Sequence, residues 1–297
     1  MQSYRRFLDP KVIAKISNLN LVAKLVVEGF ISGLHKSPYQ GFSVEFSEHK
    51  EYSLGDDLKH VDWKVYGKTD KFYIKRYEEE TNLKAYILLD ASNSMFFKSK
   101  HVSKYEYGCF LAASLAYLMI KQRDSVGLVV FDEKIKDYIP PKCSSGHLKN
   151  ILQTLDRTSS GQETNISRTC HDLAETIKRR GLIILISDLL DDVESVIKGL
   201  KHFRHKKHEV IVFHVLDKYE TTFPYEKPAV FQDIETRKTL SVNPKLIREE
   251  YWAEMDSFTS RYKRDCSEGM IDYVKVDTSV PLDVVLCSYL SKRARLG

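Results

Sequence analysis

From Leu83 onward, short apolar runs rich in Val and Ile alternate with longer stretches whose apolar residues recur every three or four positions. This is the pattern of βαβ units around a mostly parallel sheet. Runs at 83–89, 126–131, 182–186, 210–216 and 271–276 predict strands. Each is nearly continuous in apolar residues, as a sheet covered on both faces demands. Between the first two, Cys109, Ala112, Leu115, Ala116 and Met119 line one face of a helix. Further helices are expected over 166–179, 192–202, 244–264 and 281–293. Residues 229–240 read as a hairpin turning near Glu235 and Thr236, placed at an edge. The expected fold is an α/β, Rossmann-like three-layer sandwich.

The first 80 residues follow a different pattern. A helical stretch of mixed character precedes residues 41–46, which alternate apolar and polar, and a second extended run covers 71–77. We read residues 1–80 as an N-terminal arm and 81–297 as the main domain. Trp63, with the alternating Phe42, Val44 and Phe46, is expected to dock that arm onto apolar surface.

Composition narrows the class. The chain has 297 residues, 42% of them hydrophobic, enough for one large core. The most apolar early stretch, 21–31, is interrupted by Lys24 and Glu28, so no membrane span is expected. No apolar leader follows the charged start, and the five cysteines stand singly, which together predict reduced thiols and a cytoplasmic location. The net charge of +5 is spread along the chain, which argues against nucleic acid as the partner.

The candidate chemistry sits where the first strand ends. In Asp90-Ala91-Ser92-Asn93-Ser94, an extended backbone turns the side chains at 90, 92 and 94 to one side. Ligands of open α/β sheets bind beyond the carboxyl ends of strands. Thr164 lies in a loop before a helical stretch, and Ser187-Asp188 closes the 182–186 strand, so both fall within reach of the same crevice. Two carboxylates and three hydroxyls suit a hard divalent cation, Mg²⁺ or Mn²⁺, with one coordination position left open. The alternative for the same residues is turn formation and helix capping.

Asp90, Ser92 and Ser94 with Thr164 and Asp188 resemble the metal-ion-dependent adhesion site of von Willebrand factor A domains, a likeness spanning about residues 83 to 290. Glu163 departs from it, standing where many relatives carry Gly. Upstream, residues 51–57 (Glu-Tyr-Ser-Leu-Gly-Asp-Asp), Val61-Asp62-Trp63 and residues 75–80 resemble a bacterial family known as domain of unknown function 58. The resemblance implies a von Willebrand factor A-type fold and a protein partner. That partner is a MoxR-type AAA+ ATPase or its client, in chaperone-like complex assembly or maturation. It also implies that the chain is not an enzyme.

Two other clusters carry candidate chemistry. His202, His205 and His208 are interleaved with Arg204, Lys206 and Lys207, which oppose a bound metal, and the segment reads as a solvated helix end. Asp188, Asp191 and Asp192, taken with Asp90, allow a rival reading as a Mg²⁺-dependent phosphohydrolase or nuclease using Asp90, Asp188 and Asp191. No phosphate-loop, zinc-protease or nucleophile-elbow motif accompanies them.

Overall fold

A computed structural model of the chain describes residues 44–53, 62–79, 83–100, 102–158, 165–234 and 237–294. They fall into two compact units, one holding residues 44–79 and the other the described residues from Leu83 onward.

In the smaller unit, β1 (Val44–Glu51) pairs antiparallel with β2 (Tyr73–Glu79), and the register slips between Phe46 and Glu48. A helix the sequence pattern did not suggest, α1 (Trp63–Thr69), lies between them in the chain. Its seven residues include Gly67 and are too few to display an apolar period. Asp62 caps it, its Oδ1 accepting from the Val65 amide at 3.3 Å, while the Asp62 amide donates to the Tyr73 carbonyl at 2.8 Å. Trp63, Tyr66 and Phe72 form an aromatic cluster, with Tyr66 stacked on Phe72 at 4.4 Å. Gly55, Asp56 and Asp57, and the Phe42 expected to cover apolar surface, lie outside the described residues.

The larger unit is built on a six-stranded sheet of order β10-β7-β6-β3-β4-β5. The strands are β3 (Lys84–Asp90), β4 (Ser125–Phe131), β5 (Ile135–Lys142), β6 (Leu182–Ser187), β7 (Glu209–Leu216) and β10 (Asp272–Asp277). All pairings are parallel except β4 with β5. This is the α/β sandwich on a mostly parallel sheet that the pattern predicts. Every residue of β6 is buried, which explains its unbroken apolar run.

One face of the sheet packs on α4 (Ile166–Thr176) and α5 (Val193–His205), with Leu88, Phe131, Leu185 and Val212 meeting Leu173, Leu200 and Phe203 in one cluster. Tyr262 and Cys266, from the long α7 (Pro244–Glu268), join the same cluster. On the other face lies α2 (Lys104–Lys121), which starts at a capping box of Ser103 and Glu106. Gly108 sets how closely it approaches. A Cβ there would stand 2.9 Å from Leu89 Cδ1 and 3.2 Å from Ile186 Cγ2.

Strand β5 and α3 (Ser145–Arg157) were not anticipated. β5 is an edge strand exposed on alternate residues and carries Pro140-Pro141, a composition tolerated at sheet edges that gives no continuous apolar run. The short α6 (Lys218–Thr222) was also missed. The expected hairpin forms from β8 (Ala229–Gln232) and β9 (Thr239–Val242), but as a separate two-stranded sheet rather than on an edge of the large one. Glu235 and Thr236 lie outside the described residues. The last described element is α8 (Leu282–Ala294). All five cysteines are free thiols, and among the described residues no helix is long and apolar enough to cross a membrane.

Candidate metal centre at the sheet's switch point

Chain order runs outward from β3 through β4 to β5, then returns to β6 on the other side. The switch point is therefore the junction of β3 and β6, where the carboxyl ends of adjacent parallel strands diverge and leave a crevice. β3 ends in Asp90 and β6 ends in Ser187, followed by Asp188. The topology thus brings two carboxylates, 98 residues apart in sequence, to one place.

Asp90, Ser92, Asp188 and Ser187 are fully buried and Ser94 nearly so. Asp90 Oδ1 accepts from the Ser92 amide at 2.9 Å, closing a turn that swings the backbone away from the strand. The other oxygen, Oδ2, accepts from the Ser187 hydroxyl at 2.6 Å. Ser92 and Ser94 hydroxyls lie 3.1 Å apart at the start of a 3₁₀ turn, Ser94–Phe96. The two hydroxyls therefore meet across a turn, with Asn93 in the helical region (φ −59°, ψ −36°), and not along the extended segment that the one-in-two spacing assumed. Thr164, the fifth expected ligand, lies outside the described residues.

The cap of α4 is Asn165, whose side chain accepts from the Arg168 amide, and the cap of α5 is Asp192, which accepts from the Ser195 amide. Neither Asp90 nor Asp188 caps a helix. Asp90 does form the expected turn, but the turn uses only one of its oxygens.

Asp188 has a partner that sequence reasoning missed. The Lys104 ammonium lies 2.8 Å from Asp188 Oδ2 and 2.6 Å from Glu220 Oε1, and the Lys104 side chain is wholly buried. Asp188 Oδ1 accepts from the Leu190 amide at 3.3 Å. A signal for Lys104 existed. Counting back from Leu115, Leu111 and Gly108 by alternating fours and threes lands on Lys104, a cation on the sheet-facing stripe of an otherwise apolar helix.

Charge in this dry pocket is finely held. Burial, followed by the neighbouring Asp188 charge, pushes the Asp90 carboxyl up to about 7, against the pull of the Ser187 and Ser92 hydrogen bonds. Burial by itself would lower the Lys104 ammonium, but Asp188 and Glu220 outweigh it and hold it above its ordinary value. Burial raises Glu220 despite the lysine. Behind the site, burial depresses His214 to about 3, so this ring, bonded through Nδ1 to the Tyr273 hydroxyl at 2.7 Å, is neutral.

The loop after β6 is conformationally costly. Leu189, fully buried, has φ of 56°, a left-handed conformation uncommon for a branched side chain. Its carbonyl is held by the Tyr262 hydroxyl at 3.1 Å and its amide by Ser187 Oγ at 2.9 Å. These bonds hold the backbone in the turn that places Asp188 at the crevice.

Asp191, the third carboxylate of the rival reading, faces elsewhere. Its Oδ2 accepts from the Ile166 amide at 3.1 Å, at the start of α4, and its Oδ1 accepts from the Asp192 amide at 2.7 Å. The histidine run separates as well. His202 pairs with His171 at 2.9 Å and with Glu175, while His208 is buried and accepts at Nδ1 from the Gly181 amide at 3.2 Å. His208 is therefore part of the core and not of a solvated helix end.

The donors gathered at the switch point, Asp90, Ser92, Ser94 and Asp188, are all hard oxygens, and a buried ammonium already sits on one of them. That donor chemistry fits a small divalent cation. Among the described residues no three His, Cys, Asp or Glu side chains cluster as a metal site. A site of two carboxylates and hydroxyls does not require three.

A family described as "Protein of unknown function DUF58" matches residues 48–260. The uncharacterized protein Rv1480 of Mycobacterium tuberculosis is 24% identical over 243 residues, covering 80% of this chain and 76% of that protein. Among solved structures, the conserved hypothetical protein BatB from Bacteroides thetaiotaomicron shows 21% identity and a TM-score of 0.47, covering 72% of this chain and 99% of BatB. The SpRpn10 VWA domain shows 11% identity and a TM-score of 0.40 over 69% of this chain and 94% of that domain. Likenesses at this level say nothing about what the chain binds.

Proposed function

This chain belongs to the DUF58 family, and on that premise we propose that it is a protein-binding module whose docking point is a divalent cation at the β3–β6 switch point. Mg²⁺ or Mn²⁺ is held by Asp90, Ser92 and Ser94, with Thr164 and Asp188 completing the set, and an acidic side chain of the partner takes the open coordination position. The observation that carries this reading is the convergence of two buried carboxylates and two neighbouring hydroxyls at the crevice where α/β sheets bind ligands. The ion would supply the charge-assisted bond between proteins, and the residues here would orient and desolvate it.

The partner proposed is a MoxR-type AAA+ ATPase or its client, in cytoplasmic complex assembly or maturation. That choice rests on the motif resemblance alone. The phosphohydrolase or nuclease reading is not adopted, because Asp191 already accepts from two backbone amides, one of them at the start of α4.

Capture of a purified MoxR-type ATPase on the immobilised full chain, with Mg²⁺ or with chelator, tests the reading. Capture is expected only with metal, and is expected to be lost in Asp90→Ala. Equal capture in chelator, or by folded Asp90→Ala, removes the metal as the docking point.

A further inference from the structure

A lysine ammonium buried without access to water costs far more than one at the surface unless carboxylates surround it. Lys104 meets that requirement with two, Asp188 and Glu220. Counted as ionised, Asp90, Asp188 and Glu220 set three negative charges against one ammonium, and the two left over equal the charge of a divalent cation. We propose that Lys104 is a tethered counter-cation of this metal site, holding Asp188 in the metal-free protein and setting, by its own positive charge, how tightly a divalent ion binds. The inference rests on the metal reading above and adds to it the identity of the residue that opposes the ion.

The geometry leaves Lys104 little freedom. It stands one turn before Gly108, whose closeness to Leu89 and Ile186 fixes the helix against the sheet. When a cation approaches Asp188, the ammonium is repelled toward its second carboxylate, Glu220. The other oxygen of Glu220, Oε2, accepts from the Asp217 amide at 2.7 Å, and Asp217 Oδ2 accepts from the Ser99 amide at 3.0 Å. Ser99 belongs to the segment that follows the two site serines. Occupancy of the crevice is thereby linked to α6 and to Ser99 through one chain of ion pairs and hydrogen bonds. Like charges a few ångströms apart in a water-poor pocket repel by an amount worth at least a tenfold change in affinity.

The test is Mn²⁺ binding to the full chain, followed by electron paramagnetic resonance and calorimetry, for wild type, Lys104→Met, the double variant Lys104→Met with Glu220→Gln, and Lys104→Met with Asp90→Ala. Lys104→Met is expected to bind Mn²⁺ about tenfold tighter than wild type, or more tightly still. The Glu220→Gln double variant removes one charge of each sign and still frees Asp188, so it is expected to exceed wild type too, and it decides the matter if the single variant does not fold. Addition of Asp90→Ala is expected to abolish the gain. If wild type binds Mn²⁺ and the lysine variants bind no more tightly, the role of Lys104 is overturned while the metal reading stands. If none of the proteins binds the ion, both fall together. A Lys104→Met protein that keeps its affinity after Asp90→Ala holds the ion elsewhere, which also overturns the inference.

Discussion

The Ser187 hydroxyl donates to Asp90 Oδ2 at 2.6 Å, joining the last residues of two strands that meet at the switch point. The same hydroxyl oxygen accepts from the Leu189 amide at 2.9 Å, so one side chain fixes both the acid of β3 and the loop of β6. Ser187→Ala leaves a buried carboxylate short of a donor and a buried amide short of an acceptor. A loss of about 2–4 kcal/mol is expected, two such groups at about 1–2 each. Urea unfolding measures it, and a change under about 0.5 kcal/mol would show that the two groups find other partners.

Asp90 itself gives a pH signature. Its carboxyl is raised to about 7 in the fold from an ordinary value of 3.8, so the folded protein prefers the protonated acid. The stability associated with that preference is complete below about pH 4 and is lost as pH rises through about 7. Metal-free Asp90→Asn is therefore expected to be more stable than wild type at pH 8 and to lose this advantage toward pH 4. Added Mg²⁺ is expected to raise the melting temperature of wild type at pH 8 and not that of the variant. Parallel pH–stability curves for the two proteins would contradict the assignment.

Asp191 separates docking from hydrolysis. As the acceptor for the Ile166 amide, it contributes to the start of α4, and Asp191→Ala is expected to cost about 0.5–2 kcal/mol. Metal-dependent capture of the partner is expected to survive in the folded variant. Its loss, with the fold intact by circular dichroism, would return Asp191 to the site.

Gly108→Ala tests how α2 positions the centre. The added methyl would press on Leu89 and Ile186, and overpacking of this kind costs about 1–3 kcal/mol. Because Lys104 is one turn away, the variant is also expected to show altered Mn²⁺ affinity. An unchanged melting temperature would mean that the helix shifts freely.

Much of this arrangement was legible before the structure because burial on both faces writes itself into composition. β3, β4, β6 and β7 are nearly continuous in apolar residues, and Asp90 at the end of β3 and Ser187-Asp188 at the end of β6 stand out against them. The edge strand β5 carried no such mark, since half of it faces solvent. Helix α1 was too short to show a period. Lys104 was missed for a different reason: a cation at the start of a helix reads as solvated, and only the tertiary placement of Asp188 and Glu220, 84 and 116 residues onward, reveals why it is buried.

The left-handed Leu189, pinned from α7 by Tyr262, bears on speed as well as shape. A loop whose form is dictated by contacts 73 residues away has no cheap alternative conformation to visit. The part of the crevice that this loop forms is thus assembled before anything arrives, and the association rate should be governed by encounter, by stripping of hydration from the incoming ligand and by the shift of the Lys104 ammonium off Asp188.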